Sequence, residues 1–216
     1  MDSIPMIVAG LTESFRHFAG KDLPESEIRS LIGMPLRDQL VLHGMDQHPS
    51  TLDERVEWTV DAYSRNVHLM REFTPAVEAF DRLVELGVPV ALVTSRNRLE
   101  VEWLLEKEPR FAASDAVVSA SDTARPKPAA DPVLEACRQL GVLPEHSLFV
   151  GDSLHDLGSA QAAGCPFLAV TYGSATRPDF IAHGADHLID TPEELRAWIE
   201  HQHELDLWQT KTKSLR

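Results

Sequence analysis

The chain is poor in cysteine, in positive charge and in long apolar runs, and each shortage excludes something. Only Cys137 and Cys165 occur, far apart and outside any metal-ligand spacing. That rules out a disulfide scaffold or a thiolate zinc site and predicts a reducing, cytoplasmic setting. Twenty Lys and Arg face 34 Asp and Glu, a formal net charge of −14. An excess of that size argues against nucleic acid or an anionic membrane surface as partner. It leaves a phosphorylated small molecule open, because a few local cations or a bound metal can dominate a site. No run is long and apolar enough to span a bilayer. Residues 1–18 do not read as a leader either. Asp2 stands where a basic start is needed, and Pro5, Thr12 and Glu13 interrupt the apolar stretch. What remains, 43% hydrophobic and 25% charged residues in 216, is the composition of an ordinary globular chain.

The pattern changes near residue 73. Before it, only helical periodicity appears. Ile4, Ile7, Val8, Leu11, Phe15 and Phe18 make one apolar stripe. Pro24 suits a helix start. Ile32-Gly33-Met34-Pro35 breaks the chain before a helix from Leu36, and His48-Pro49-Ser50 breaks it again before a long helix from Thr51 to about Arg71. After residue 73, helices and apolar runs alternate. Strands are expected near 89–94, 116–119, 147–151 and 166–170, with a short edge strand in 185–189. Helices are expected from Thr74, over Leu99–Glu106, from an Asp131 cap to Leu140, after residue 153 to Ala163, and over Pro192–His201. Alternation of this kind predicts an α/β, doubly wound parallel sheet. The expected division is an all-helical cap over 1–72, an α/β core over 73–203 and a polar tail over 204–216.

Chemistry-bearing residues fall at the ends of the expected strands, where open α/β sheets bind ligands. Thr94 and Ser95 follow the first strand. They read either as a helix cap or as hydroxyls of a phosphate cradle. Lys127, between Pro126 and Pro128, reads as a solvated lysine or as an ammonium held stiffly toward an anion. Asp152 and Asp156, in Gly151-Asp152-Ser153-Leu154-His155-Asp156, read as a cap with a first-turn acid or as oxygen ligands for a hard cation such as Mg²⁺. Gly151-Asp152-Ser153-Leu154 also matches a serine-esterase tetrapeptide. That family places it after its first strand and needs a partner Asp-x-x-His, whereas Asp179 and His183 here have the wrong spacing. His201 and His203 sit at a polar helix end and are expected to be solvated.

This ordered set resembles the haloacid dehalogenase superfamily, in its phosphoglycolate phosphatase-like branch with an α-helical cap. Thr94 matches the second motif, Lys127 in Lys-Pro-Ala-Ala-Asp-Pro the third, and Asp152 with Asp156 the fourth. Ile32–Leu36 resembles the cap's substrate-facing loop, with Gly33, Pro35 and Arg37 as candidate contacts. The resemblance implies a Mg²⁺-dependent hydrolase of a small phosphorylated metabolite, working as a monomer or homodimer. Asp152 and Asp156 are then the metal-site acids, with Asp156 supporting Asp152, the lysine or a metal-bound water; Thr94, Ser95 and Lys127 hold the phosphoryl group, and Lys127 and Asp152 belong to the catalytic set. Pyrophosphate hydrolysis, phosphosugar mutase chemistry and a non-catalytic binding role are the alternatives it leaves open. The family's first motif, Asp-x-Asp-Gly-Thr-Leu-x-Asp-Ser, supplies its nucleophile and its general acid and base. Here Met1-Asp2-Ser3 matches only the last three positions, and no acid replaces the first two. The expectation is a late-called start, a sheet lacking its first central strand, and no turnover by these 216 residues. Arg96-Asn97-Arg98, where relatives often carry one lysine, adds charge near the expected site entrance.

Overall fold

A computed structural model describes residues 1–44 and 50–204. The His48-Pro49 break and the tail beyond Glu204 lie outside the described residues. The architecture is α/β with parallel strands. Helices α1 (Ile4–Ala19), α2 (Glu25–Ser30), α3 (Leu36–Leu42) and α4 (Leu52–Arg65) precede α5 (Thr74–Glu85). Then follow β1 (Ala91–Val93), α6 (Arg98–Lys107), β2 (Ala116–Val118), α7 (Asp131–Leu140) and β3 (Phe149–Gly151). The chain continues through α8 (Leu154–Ala163), β4 (Phe167–Val170), α9 (Arg177–Ala182), β5 (Leu188–Ile189) and α10 (Pro192–Glu204).

The helical half packs on itself because α1 and α4 each present one apolar stripe. Met6, Leu11 and Phe15 meet Val56, Val60 and Tyr63, with Ile28 and Leu40 closing the cluster. Each such buried side chain is worth about 1.5–3 kcal/mol. Between the two helices the buried hydroxyls of Ser14 and Thr59 satisfy each other, Ser14 Oγ lying 2.7 Å from Thr59 Oγ1. Helix α4 stops at Arg65, and a 3-10 turn over Val67–Leu69 continues the segment that periodicity alone reads as one helix to about Arg71. The two strands of chain that connect cap and core run antiparallel. Asp2 N donates to Arg71 O at 2.7 Å, and Arg71 N donates to Asp2 O at 3.0 Å.

The core sheet is in two pieces. β1 pairs with β2, and β3, β4 and β5 form a second parallel sheet in that order. No ladder joins β1 to β3 among the described residues. Helix α7 packs on β1 and β2, α8 packs on β3 and β4, and α7 against α8 ties the halves together. The apolar run Val88–Val93 reads as a strand buried on both faces; instead all of β1 is half-buried, and Val150 in β3 is 37% exposed.

Two local readings are corrected. Asp131 is the first helical residue of α7 rather than its cap, since the N-cap is Ala130 and the Asp131 carboxylate pairs with Arg125 at 2.7 Å. Helix α9 has no counterpart in the periodicity reading. The local signal for it was a capping box, Thr176 with Asp179 three residues on, with Pro178 between them in the first turn.

Candidate active site

The site lies where β1, β3 and β4 end. Strand β1 delivers Thr94, Ser95 and Arg96 on the turn before α6, whose cap is Asn97. The Oγ1 of Thr94 accepts from Arg96 N at 3.2 Å, and Thr94 N donates to Val118 O at 2.9 Å, so the turn is pinned to β2. Strand β3 delivers Asp152 and Ser153. Strand β4 delivers Tyr172, Gly173 and Ser174.

One cleft of about 350 Å³ takes in these strand ends together with Asp2, Ser3, Lys127 and Asp156, and its other wall is Ile32, Gly33, Met34, Leu36 and Gln39 of the helical half. Thr94, Ser95, Lys127, Asp152 and Asp156, far apart in sequence, therefore share one cavity beneath the Ile32–Leu36 loop. Gly33 is tight against the floor of this cavity. With φ at +105° it sits in backbone space that side chains rarely enter, and an added Cβ would lie 3.1 Å from His155 Nδ1. Arg37 and Pro35 do not line the cleft. Pro35 is the residue before α3, and Arg37 turns outward to pair with Asp53.

The two aspartates do different work. Asp156 is 5% exposed and fully engaged. Its Oδ1 accepts from Lys127 Nζ at 2.6 Å, and its Oδ2 accepts from Ser153 Oγ at 2.7 Å and Ser153 N at 3.1 Å. Ser153 and Asp156 form a reciprocal capping box at the start of α8. That commits the Ser153 hydroxyl to structure and leaves no role for it as a nucleophile. It also makes Asp156 the counter-ion of Lys127, with both carboxylate oxygens accepting hydrogen bonds.

Asp152 has one oxygen fixed and one spare. Its Oδ2 accepts from Ser174 N at 2.8 Å, and no hydrogen bond to Oδ1 occurs among the described residues. Gly173 makes this close approach possible, because a Cβ there would fall 2.1 Å from Asp152 Oδ2. Burial, and then the neighbouring Asp156 charge, push the Asp152 carboxyl above the usual carboxylate range. Sequence reasoning missed Gly173 and Ser174. The signal was available, since they follow β4 as directly as Asp152 follows β3.

These residues suit a hard divalent cation on one side only. The cleft is lined by the carboxyl groups of Asp2, Glu100, Asp152 and Asp156 and by the cations of Arg96, Lys127 and the Met1 ammonium. Of these, Asp152, with one oxygen unused, is the residue that could hold a hard cation. No cluster of three or more acidic, His or Cys residues suited to a metal occurs among the described residues.

A prediction follows from the raised Asp152 value. Raised means that ionisation opposes folding, so the penalty is present above the folded-state value and disappears below the ordinary carboxylate range, about pH 4. In EDTA, Asp152→Asn should therefore melt higher than the parent at pH 7, with the advantage vanishing toward pH 4. Adding Mg²⁺ should raise the melting temperature of the parent and leave Asp152→Asn unmoved. Thermal melts across that pH range check it, and a variant that melts lower at pH 7 in EDTA contradicts it.

The haloacid dehalogenase-like hydrolase model matches residues 1–170. The chain belongs to that family. The phosphoglycolate phosphatase of Escherichia coli (strain K12) is 32% identical over 124 residues, 54% of this chain and 49% of that protein. The chain thus spans about half the length of that relative. Pyrophosphatase PpaX of Bacillus mycoides (strain KBAB4) is 26% identical over 196 residues, covering 88% of this chain and 87% of that protein. In shape, the chain is similar to CbbY from Rhodobacter sphaeroides, solved in complex with phosphate. That match has a TM-score of 0.73 at 20% identity and covers 88% of this chain and 89% of that one. At that identity the likeness speaks for the haloacid dehalogenase fold alone. No helix among the described residues is long and apolar enough to cross a membrane.

Proposed function

We propose that the cleft binds the phosphoryl group of a small phosphorylated metabolite, as part of a Mg²⁺-dependent phosphatase of the haloacid dehalogenase family. The observation that carries this reading is the gathering of Thr94, Ser95, Lys127 and Asp152 around one cavity beneath the Ile32–Leu36 loop. Thr94, Ser95 and the backbone N–H groups of their turn would orient the phosphoryl oxygens. Lys127, fixed by Asp156, would offset their charge. Asp152 would hold the cation, which when bound would neutralise charge developing on the transferred group. The helical wall would keep water from the reacting centre.

Of the acids lining the cleft, Asp156 is bonded to Lys127, Glu100 accepts from Asn97 N at 2.9 Å, Asp2 accepts from Ile4 N at 3.2 Å through Oδ1, and this reading gives Asp152 to the cation. The family's route, as the resemblance implies, attacks with the first carboxylate of an Asp-x-Asp motif, which these residues do not contain. The 216-residue chain should therefore release phosphate from ester substrates at no more than the uncatalysed rate. Phosphate release in the presence of Mg²⁺ tests this, and robust turnover lost on Asp152→Ala would overturn it. The match to PpaX, which runs over most of both chains, favours including phosphoanhydrides beside esters in the assay.

A further inference from the structure

Three hydrogen bonds reach Asp152 from Ser174 and Ala175, on the turn after β4. Ser174 N donates to Asp152 Oδ2 at 2.8 Å, Ser174 Oγ donates to the Asp152 carbonyl at 2.9 Å, and Ala175 N donates to the same carbonyl at 2.9 Å. Asp152 N in turn donates to Asp156 Oδ2 at 3.3 Å. The backbone of Asp152 and one oxygen of its carboxylate are both fixed. Sheet pairing does not account for this, because the β3–β4 ladder ends at Gly151 with Ala169, before either turn begins.

The turn that makes these bonds is anchored at both ends. Tyr172 rests edge-on against Phe73, with ring centroids 5.1 Å apart. Ala175 is buried beside Leu157 and Phe180, and Thr176 caps α9. Gly173 stands between these anchors. Its backbone is not in the left-handed region, so space rather than conformational freedom calls for glycine here. A Cβ would lie 2.1 Å from Asp152 Oδ2, 2.4 Å from its Cβ and 2.5 Å from its Cγ. Rotating the carboxylate would not relieve a clash that includes Asp152 Cβ. The turn can close on Asp152 only because this position has no side chain.

We infer that Gly173 and Ser174 are positioning residues for Asp152, holding Oδ2 on the β4 turn so that Oδ1 alone is presented to the cation. This rests on the cation-binding part of the reading above. Partners that fix a ligating carboxylate set its orientation, and losing them typically costs about 10–100-fold in metal affinity. Two residues outside the recognised motifs thereby govern how a motif residue meets the metal.

The test uses Mn²⁺ as a paramagnetic probe on the full chain, because line broadening reads weak binding and needs no turnover. In the parent, Mn²⁺ should broaden the amide signals of Gly151, Asp152, Ser153, Gly173 and Ser174. Gly173→Ala should need about tenfold or more Mn²⁺ for the same broadening, with the signals of α1 and α4 unchanged as the sign of a folded chain. Ser174→Ala, which keeps the N–H and loses the Oγ bond, should fall between the two, and Ser174→Thr should restore the parent's response. A second measurement uses the parent alone. Exchange of the Ser174 amide proton with solvent should be slow without cation and stay slow at Mg²⁺ levels that displace Mn²⁺, since Oδ2 remains its acceptor. Exchange that quickens with Mg²⁺ means that the cation has taken Oδ2, and it overturns the inference whether or not Gly173→Ala folds. Gly173→Ala responding at the parent's Mn²⁺ concentrations overturns it too and spares the cation reading. A parent with no broadening at either turn overturns both.

Discussion

Fusing an apolar strand that ends in Asp-x-Asp-Gly-Thr-Leu ahead of Met1 should both stabilise this protein and give it turnover. The reason is the split sheet. β1 and β3 share no ladder among the described residues, and Val150 is 37% exposed on a strand flanked by a cleft. A strand of about 5–6 residues is the usual length, and its apolar side chains would each gain about 1.5–3 kcal/mol on burial. Ordering the added backbone costs about 1–2 kcal/mol per residue and offsets part of that gain, and the melting temperature should rise. The first aspartate of the extension would enter the cleft beside Asp152 and Lys127 as the attacking carboxylate. Phosphate release in Mg²⁺ should then exceed that of the unextended chain by orders of magnitude, since covalent catalysis opens a route otherwise closed. Replacing that first aspartate by asparagine should keep the gain in melting temperature and remove the turnover. An extended chain that melts no higher would show that the β1 and β3 edges are not a strand's binding site.

Lys127→Ala should be the most damaging single substitution in the cleft. Lys127 and Asp156 have side chains only 8% and 7% exposed, and their charged atoms are 2.6 Å apart. Removing one member of a buried pair leaves the other uncompensated, at a cost of about 3–5 kcal/mol. Asp156 cannot escape by swinging to solvent, because the Ser153 cap holds its other oxygen. Lys127 Nζ also reaches Val93 O at 3.3 Å, so the lysine links the β1 side of the cleft to the β3 side. The expected fall in melting temperature is about 6–20 °C. Lys127→Met with Asp156→Asn should recover part of the loss, because the stranded charge is then gone. Denaturant melts of Lys127→Met, Asp156→Asn and the double variant measure the coupling. A loss below about 1 kcal/mol for Lys127→Ala would mean that the pair behaves as a solvated surface contact.

Local pattern and spacing carried a great deal. The switch from helical periodicity to alternating apolar runs near residue 73 is legible because each element needs only its own residues to show its period. The ordered placement of Thr94, Lys127, Asp152 and Asp156 after successive strands is legible for the same reason, and so is the absence of an Asp-x-Asp pair. Distribution of work within the site was not. The spacing of Asp152 and Asp156 lets both face one pocket, yet Lys127, 29 residues before Asp156, claims one of them, and the Ser174 backbone, 22 residues beyond Asp152, fixes the other. Arg37 looked like a cap-loop contact and turns away to Asp53, while Arg96 looked like added entrance charge and is half-buried, bonded to Ser3 and 3.8 Å from Glu100. Whether a charged side chain is paired, and whether it is dry, depends on groups brought near by the fold. Those are long-range facts that only the tertiary structure decides, whereas the period of a helix or strand is written in neighbouring residues.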